Sequence, residues 1–259
     1  MPPGRLGAVR ALLPHRPTDD VDVHEWYAED WSDTGGVRVN FIASVDGGIT
    51  VDGRSAGLQT PGDNRVFAAL RDLADVLLVA AGTARAEGYQ VVMLSERRRD
   101  RRRQHGYRDQ LPTVVVSGRL DLDPRSGLFV GEGHEVNRTI VVTSNSSDRD
   151  RRATLAEVAD VVVVGDDEVD LAAARAELAG RGHTRVLCEG GPSLFAALAR
   201  AGIADELDLS VSPLLVGPDR PRIVGGAPWS GDAVPLALHR LLEEDGALFA
   251  RYRIGGGGA

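Results

Sequence analysis

Apolar residues fall in short, β-branched runs along most of this chain. Val37–Ala43, Val76–Ala80, Thr113–Val116, Thr139–Val142, Val161–Val164, Arg185–Cys188, Leu207–Val211 and Ala247–Ile254 each read as a strand. Helical spacing separates several of them. Asp63–Asp75 puts Val66, Phe67, Leu70, Leu73 and Ala74 on one face, Leu171–Ala179 is closed by Gly180, and Ser193–Arg200 follows the same period. Strand runs without polar alternation are covered on both sides. The pattern predicts a single α/β domain with a predominantly parallel central sheet and helices on both faces.

The ends of the chain read differently. Residues 1–36 form a leader, with Trp26, Tyr27 and Trp31 in a short helix that packs on the domain and covers an edge. Residues 37–254 make the main domain, and 255–259 a frayed tail. The arginine run Arg97–Arg103 reads as a solvated loop.

Composition narrows the class. The net charge of −8 argues against nucleic acid as a partner. The chain has no run of 18 apolar residues, no apolar leader of the signal-peptide kind and one cysteine, Cys188. A cytoplasmic protein with no membrane association and no disulfide is expected, acting on a small molecule. Lysine is absent, so arginine, hydroxyls and backbone N–H groups must meet any ligand phosphate.

In open α/β sheets ligands collect at the carboxyl ends of strands, and four such ends carry unusual residues. Ala43-Ser44-Val45-Asp46-Gly47-Gly48 places a carboxylate before a glycine pair; Asp46 is a proton relay or a plain Asp-Gly turn. Ala80-Ala81-Gly82-Thr83-Ala84-Arg85 offers Gly82 for close approach, Thr83 as a helix cap and Arg85 as a cation, or is an ordinary helix start. Ser117-Gly118-Arg119 suits a phosphate monoester, or is a turn. Cys188-Glu189-Gly190-Gly191-Pro192-Ser193-Leu194 runs strand, glycine pair, helix, an arrangement that cradles a pyrophosphate, with Pro192 in the first helical turn and Cys188 in the core. It is neither the G-x-G-x-x-G nor the Walker pattern. No G-x-S-x-G is present, and the histidines are scattered without H-E-x-x-H, so neither a serine hydrolase nor a metal site is expected.

Together these segments resemble one family. Asn40-Phe41-Ile42-Ala43-Ser44-Val45-Asp46-Gly47, the run from Asp75 through Gly82-Thr83 to Ala86, Glu189-Gly190-Gly191-Pro192, and Leu207 through Pro213-Leu214-Leu215-Val216-Gly217 follow in order the motifs of the riboflavin-biosynthesis pyrimidine reductase domain, which shares the dihydrofolate reductase fold. The resemblance runs from about Val37 to Ile254. It implies a stand-alone reductase that uses NADPH to reduce a ribosylaminopyrimidine 5′-phosphate, the aminouracil or the related diaminopyrimidinone, with hydride going to the sugar C1′ as its ring opens.

On that resemblance Asp46 and Glu189 are the catalytic candidates. Ala43, Gly82, Thr83, Arg85, Ser117, Gly118, Arg119, Gly190, Gly191, Ser193 and Leu194 attend the cofactor. Asn40, Ser44, Asp46, Arg65 and Glu189 face substrate, with Arg71 beside Arg65 as a second cation for the sugar phosphate. A homodimer is implied, and the apolar Leu248–Ile254 strand is compatible with one. Two segments depart from the family. Gly48 stands where many relatives carry a basic residue, and Ala86-Glu87-Gly88-Tyr89 stands where many carry A-D-D-P. Two alternatives are a pterin reductase on the same fold and a non-catalytic nucleotide-binding module.

Overall fold

Strands buried on both faces need helices above and below, and the chain supplies them by alternating the two. The structure is a computed structural model and describes residues 9–13, 20–29, 31, 35–226 and 232–255. Its strands are β1 (Arg10–Leu13), β2 (Gly36–Ser44), β3 (Val76–Ala80), β4 (Thr113–Val116), β5 (Ile140–Thr143), β6 (Asp160–Val163), β7 (Arg185–Cys188), β8 (Glu206–Ser212), β9 (Leu236–Glu244) and β10 (Ala247–Ile254). Its helices are α1 (Val23–Ala28), α2 (Pro61–Leu73), α3 (Ala81–Glu87), α4 (Glu96–Gln104), α5 (Gly127–Val130), α6 (Arg149–Ala156), α7 (Leu171–Gly180) and α8 (Pro192–Arg200).

All ten strands join one sheet in the order β1-β9-β10-β8-β2-β7-β3-β4-β5-β6. From β8 to β6 the strands are parallel, and β10, β9 and β1 continue the sheet antiparallel. This is the predominantly parallel α/β domain that the apolar runs predict. One face packs Val37, Val39, Phe41 and Leu78 against Leu178 of α7 and Leu194, Phe195 and Leu198 of α8. The other packs Leu77, Leu187 and Phe249 against Trp26 and Tyr27 of α1 and Val66, Leu70 and Leu73 of α2. The late strand β7 is inserted between β2 and β3. The chain order therefore breaks there, and a crevice opens beyond the carboxyl ends of β2, β7 and β3.

Three features depend on strand partners. The leader contributes β1, which pairs with β9 as the edge strand of the same sheet. The strand Leu248–Ile254 is interior, between β9 and β8, so it offers no free edge to a second copy. Strand β9 reads L-A-L-H-R-L-L-E-E, which has no strand alternation. It is set by its hairpin with β10, whose Asp245-Gly246 turn has φ of 49° and 83°, the left-handed pair that an Asp-Gly turn supplies. Of the expected tail, only Gly255 lies within the described residues.

One expectation is corrected: the arginine run is helix α4 rather than a loop. Arginine and glutamate are good helix formers, and Glu96 pairs with Arg99 and Arg103 along the exposed face. Arg102 turns inward and is fully buried. Its guanidinium donates to the carbonyls of Arg71, Asp72 and Ala74, where α2 ends, and to those of Arg108 and Gln110. One side chain thus satisfies the orphan carbonyls of a neighbouring helix terminus. Arg102→Met should lower unfolding free energy by about 3–5 kcal/mol, because it strands several buried acceptors. The exposed Arg103→Met should stay within about 0.5 kcal/mol. Urea titration of both variants checks the contrast.

Candidate active site

A cavity of about 340 Å³ occupies the crevice beyond β2 and β7. Glu189, one residue past β7, lies on its wall with its carboxylate almost fully buried. Such a charge needs partners, and it has two. Arg71 of α2 donates from Nε to Oε1 and from Nη2 to Oε2, both at 2.7 Å, and Tyr89 Oη donates to Oε2 at 2.6 Å. The guanidinium also lies 4.2 Å from the Phe67 ring centroid. Burial, then the neighbouring carboxylate, push the Tyr89 phenol well above its ordinary pKa, so it stays a donor. Among its protein partners Glu189 is therefore an anchor: it joins β7, α2 and the turn after α3 at one point.

The glycine pair follows. Gly190 has φ of +90°, and a Cβ there would meet the Phe41 ring at 3.0 Å. The Gly190 carbonyl accepts from Ala80 N at 2.8 Å, tying the loop across the end of β3. The Gly190–Gly191 peptide is cis. A Cβ on Gly191 would sit 2.3 Å from Thr83 Oγ1, so the two strand-end segments close on each other with no room for a side chain. Helix α8 then starts with Pro192 in its first turn and no side chain capping its amides. Helix α3 likewise begins uncapped, at Ala81. Thr83 is therefore inside α3 rather than its cap, and its side chain is turned toward Gly191.

Other expected residues divide between pocket and scaffold. Asn40 lines the cavity, and its Oδ1 is buried without a hydrogen-bond partner. Gly82 is exposed at the start of α3 with open space around it. Ser117, Gly118 and Arg119 follow β4, next to the end of β3, with Ser117 buried and the other two exposed. Ser193 is exposed in the first turn of α8, whereas the side chains of Ala43 and Leu194 belong to the core. Leu194 can offer a ligand only its backbone. Arg85 points to the loop after β4, where it meets the carbonyl and carboxylate of Asp121. Cys188 is fully buried, and burial pushes its thiol up to about 12.

Three expected substrate residues lie elsewhere. Asp46 does not line the cavity. Its carboxylate accepts from Ser44 Oγ at 2.5 Å, from Gly217 N at 2.9 Å and from Val216 N. The Ser44 hydroxyl and then the Gly217 amide hold its pKa below the ordinary aspartate value, the wrong direction for a proton donor near neutrality. Ser44 is spent on Asp46 and on accepting from Gly48 N, so the pair pins the loop after β8 to the turn after β2. Arg65 forms a close ion pair with Glu244 on a different side of α2 from the cavity. Arg71, six residues on, is the arginine that reaches the pocket.

Asp63 escaped the sequence reading. It lies in the first turn of α2, where Thr60 Oγ1 accepts from its amide at 3.1 Å. It lines the cavity at 5 % exposure. Burial raises its pKa above the ordinary aspartate value, while the Ser210 hydroxyl opposes part of the rise. The signal was Thr60-Pro61-Gly62-Asp63, a capped helix start that sequence alone assigns to structure. Pro221, flanked by Arg220 and Arg222, closes one side of the cavity. A side chain at Gly48 would strike Val216 Cγ2 at 2.4 Å and Arg220 Cβ at 2.9 Å.

The chain is similar to known proteins. The model of the RibD C-terminal domain family matches residues 36–244. A protein of Archaeoglobus fulgidus named 2,5-diamino-6-ribosylamino-4(3H)-pyrimidinone 5′-phosphate reductase is 28 % identical over 192 residues, 73 % of this chain and 86 % of that one. A protein of the same name from Methanothermobacter thermautotrophicus is 26 % identical over 223 residues, 85 % of this chain and 98 % of that one. The crystal structure of a pyrimidine reductase-like protein from Corynebacterium diphtheriae superposes with a TM-score of 0.81 at 25 % identity, covering 90 % of this chain and 99 % of that one.

The contact between the glycine pair and α3 can be tested directly. Gly191→Ala should destabilise the protein by about 1–3 kcal/mol through overpacking. Because the clash is with a single hydroxyl, Thr83→Ala in that background should recover a large part of the loss, and Thr83→Ser should not. Denaturant unfolding of the three variants gives the comparison.

Proposed function

Given that this chain belongs to the RibD C-terminal domain family, we propose that it reduces 2,5-diamino-6-ribosylamino-4(3H)-pyrimidinone 5′-phosphate with NADPH, a step of riboflavin biosynthesis. The observation that carries the choice of substrate is Asp63, a buried carboxylate in the pocket beside the unpartnered Asn40 Oδ1. Both are acceptors. A 2-aminopyrimidinone presents two adjacent donors, its amino group and ring N–H, which a carboxylate can accept together. The corresponding uracil replaces that amino donor by a carbonyl and would meet Asp63 with like polarity.

When bound at the glycine pair and the start of α8, a reduced nicotinamide would supply the hydride that the sugar C1′ takes up. The protein's own residues orient and enclose the reactants. The amides that open α8 and the narrow Gly190–Gly191 turn suit a pyrophosphate. Ser117, Gly118 and the exposed Arg119 lie on the next strand end, where Arg119 can meet a 2′-phosphate; this is the reason for NADPH over NADH. Glu189, held by Arg71 and Tyr89, keeps the loop and the pocket wall in register. Arg220 and Arg222 flank the cavity-lining Pro221 in the loop after β8, and Arg220 fills the space beside Gly48 where a basic side chain would otherwise stand. They are the groups for the sugar phosphate.

A pterin carries the same aminopyrimidinone edge but no phosphate, so the Arg220–Arg222 pair favours the pyrimidine phosphate over that reading. We further expect a homodimer. Exposed Leu12, Leu13, Leu236 and Leu238 on the antiparallel end of the sheet are apolar surface suited to a second copy.

Two results follow. The diaminopyrimidinone should be preferred over the uracil by about tenfold or more in kcat/KM, and Asp63→Asn should erase the preference, since a hydrogen bond to a charged group is worth about 1.5–3 kcal/mol. Asp63 has a raised pKa and therefore takes up a proton at a higher pH than an ordinary aspartate. KM should rise as pH falls through that value and stay flat in Asp63→Asn; an unchanged ratio and profile would remove Asp63 from the ring contact. Separately, Arg119→Ala should weaken NADPH binding about tenfold or more and leave NADH unchanged, measured by nicotinamide fluorescence.

A further inference from the structure

Outside the residues that line the pocket, α1 meets the end of α4. His24 and Glu25 open α1, and His105 caps α4. The two imidazoles lie 5.2 Å apart, centroid to centroid, and His105 is itself stacked on Tyr107 at 5.8 Å. Glu25 Oε1 is 3.8 Å from His24 Nδ1 and 3.9 Å from His105 Nε2. One ligand atom from each residue falls within 4.8 Å of the others.

His24 is the unusual member. It is 6 % exposed, yet neither Nδ1 nor Nε2 has a hydrogen-bond partner. A buried imidazole with both nitrogens idle is an unfavourable arrangement unless something else engages them. Arg101 opposes a cation here, but Asp72 lies 3.6 Å from Arg101 Nη1 and Glu25 adds a second negative charge.

We propose that His24, Glu25 and His105 form a divalent transition-metal site, of the class that takes Zn²⁺ with two imidazoles, one carboxylate and water. Ligand atoms of a tetrahedral zinc are about 3.3–3.5 Å apart for bonds of about 2.0–2.1 Å. Glu25 Oε1 stands a few tenths of an ångström farther than that from each imidazole nitrogen, and the two nitrogens lie within 4.8 Å of each other, so rotations of the exposed Glu25 and His105 side chains close the site. Carboxylate and imidazole are both ordinary zinc ligands. The bound ion would tie α1 to α4 and so brace the segment that delivers Trp26 and Tyr27 to the core. It has no part in hydride transfer. The scatter of the histidines hid the site from the sequence, since 81 positions separate His24 from His105.

The test uses the untagged full chain, stripped with chelator, titrated with Zn²⁺ by calorimetry and with Co²⁺ by visible absorption. One saturable equivalent, cobalt d–d bands of four-coordinate intensity, and a rise of several degrees in the unfolding midpoint are expected. His105→Ala and Glu25→Gln, both at exposed or half-exposed positions, should each weaken binding at least tenfold and abolish the thermal shift. Absence of saturable binding, or binding that both variants leave unchanged, would overturn the proposal.

Discussion

The ion pair between Glu189 and Arg71 is the constraint on which the pocket depends. A carboxylate at the end of an interior strand has no water to face, so it requires a buried donor pair, and Arg71 supplies one in fork geometry. That requirement fixes where α2 crosses the sheet. Tyr89 adds a third donor and fixes the turn after α3. With these elements set, Asp63 at the start of α2 and Asn40 on β2 face the same cavity, and the glycine pair after Glu189 is held against Thr83. The A-E-G-Y segment, a departure from the family pattern, acquires a reason: its tyrosine completes the partners of Glu189.

Arginine does the same work elsewhere, and a chain without lysine leaves no other choice. Arg102 closes the carboxyl end of α2 from inside α4. Under α1, Arg38 and Arg251 share Glu206, and Arg38 donates to the Tyr27 carbonyl while Arg251 donates to that of Trp26. In each place a planar, multi-donor group satisfies carbonyls and carboxylates that a point-charge ammonium would meet one at a time. The leader is thereby built into the fold by polar contacts as well as by its aromatic residues.

Much of the architecture was legible from short-range pattern. Strand β3 is a pure apolar run, β4 and β7 are apolar after one polar residue, and Pro192 after a glycine pair marked the start of α8. What escaped depended on distant partners. Helix α4 looks like a solvated charge run until Arg102 finds the end of α2. Strand β9 has no alternation and is defined by its hairpin. Asp46 looked like a reactive carboxylate because the amides of Val216 and Gly217, 170 and 171 positions away, are invisible in the local sequence. Asp63 looked like the first residue of an amphipathic helix because the cavity exists only once β2, α2 and β7 are assembled. Choosing Arg71 over Arg65 likewise required knowing which side of α2 faces the crevice.

The central claim is that this pocket presents an aminopyrimidine carrying a sugar phosphate to a reduced nicotinamide. Its most direct test follows NADPH absorbance with purified protein and either the diaminopyrimidinone ribosyl phosphate or dihydrofolate, with the products identified by mass. The account predicts oxidation with the pyrimidine, one NADPH per ribitylamino product, and little or none with dihydrofolate. Oxidation with dihydrofolate alone, or NADPH binding with no turnover of either, would contradict it.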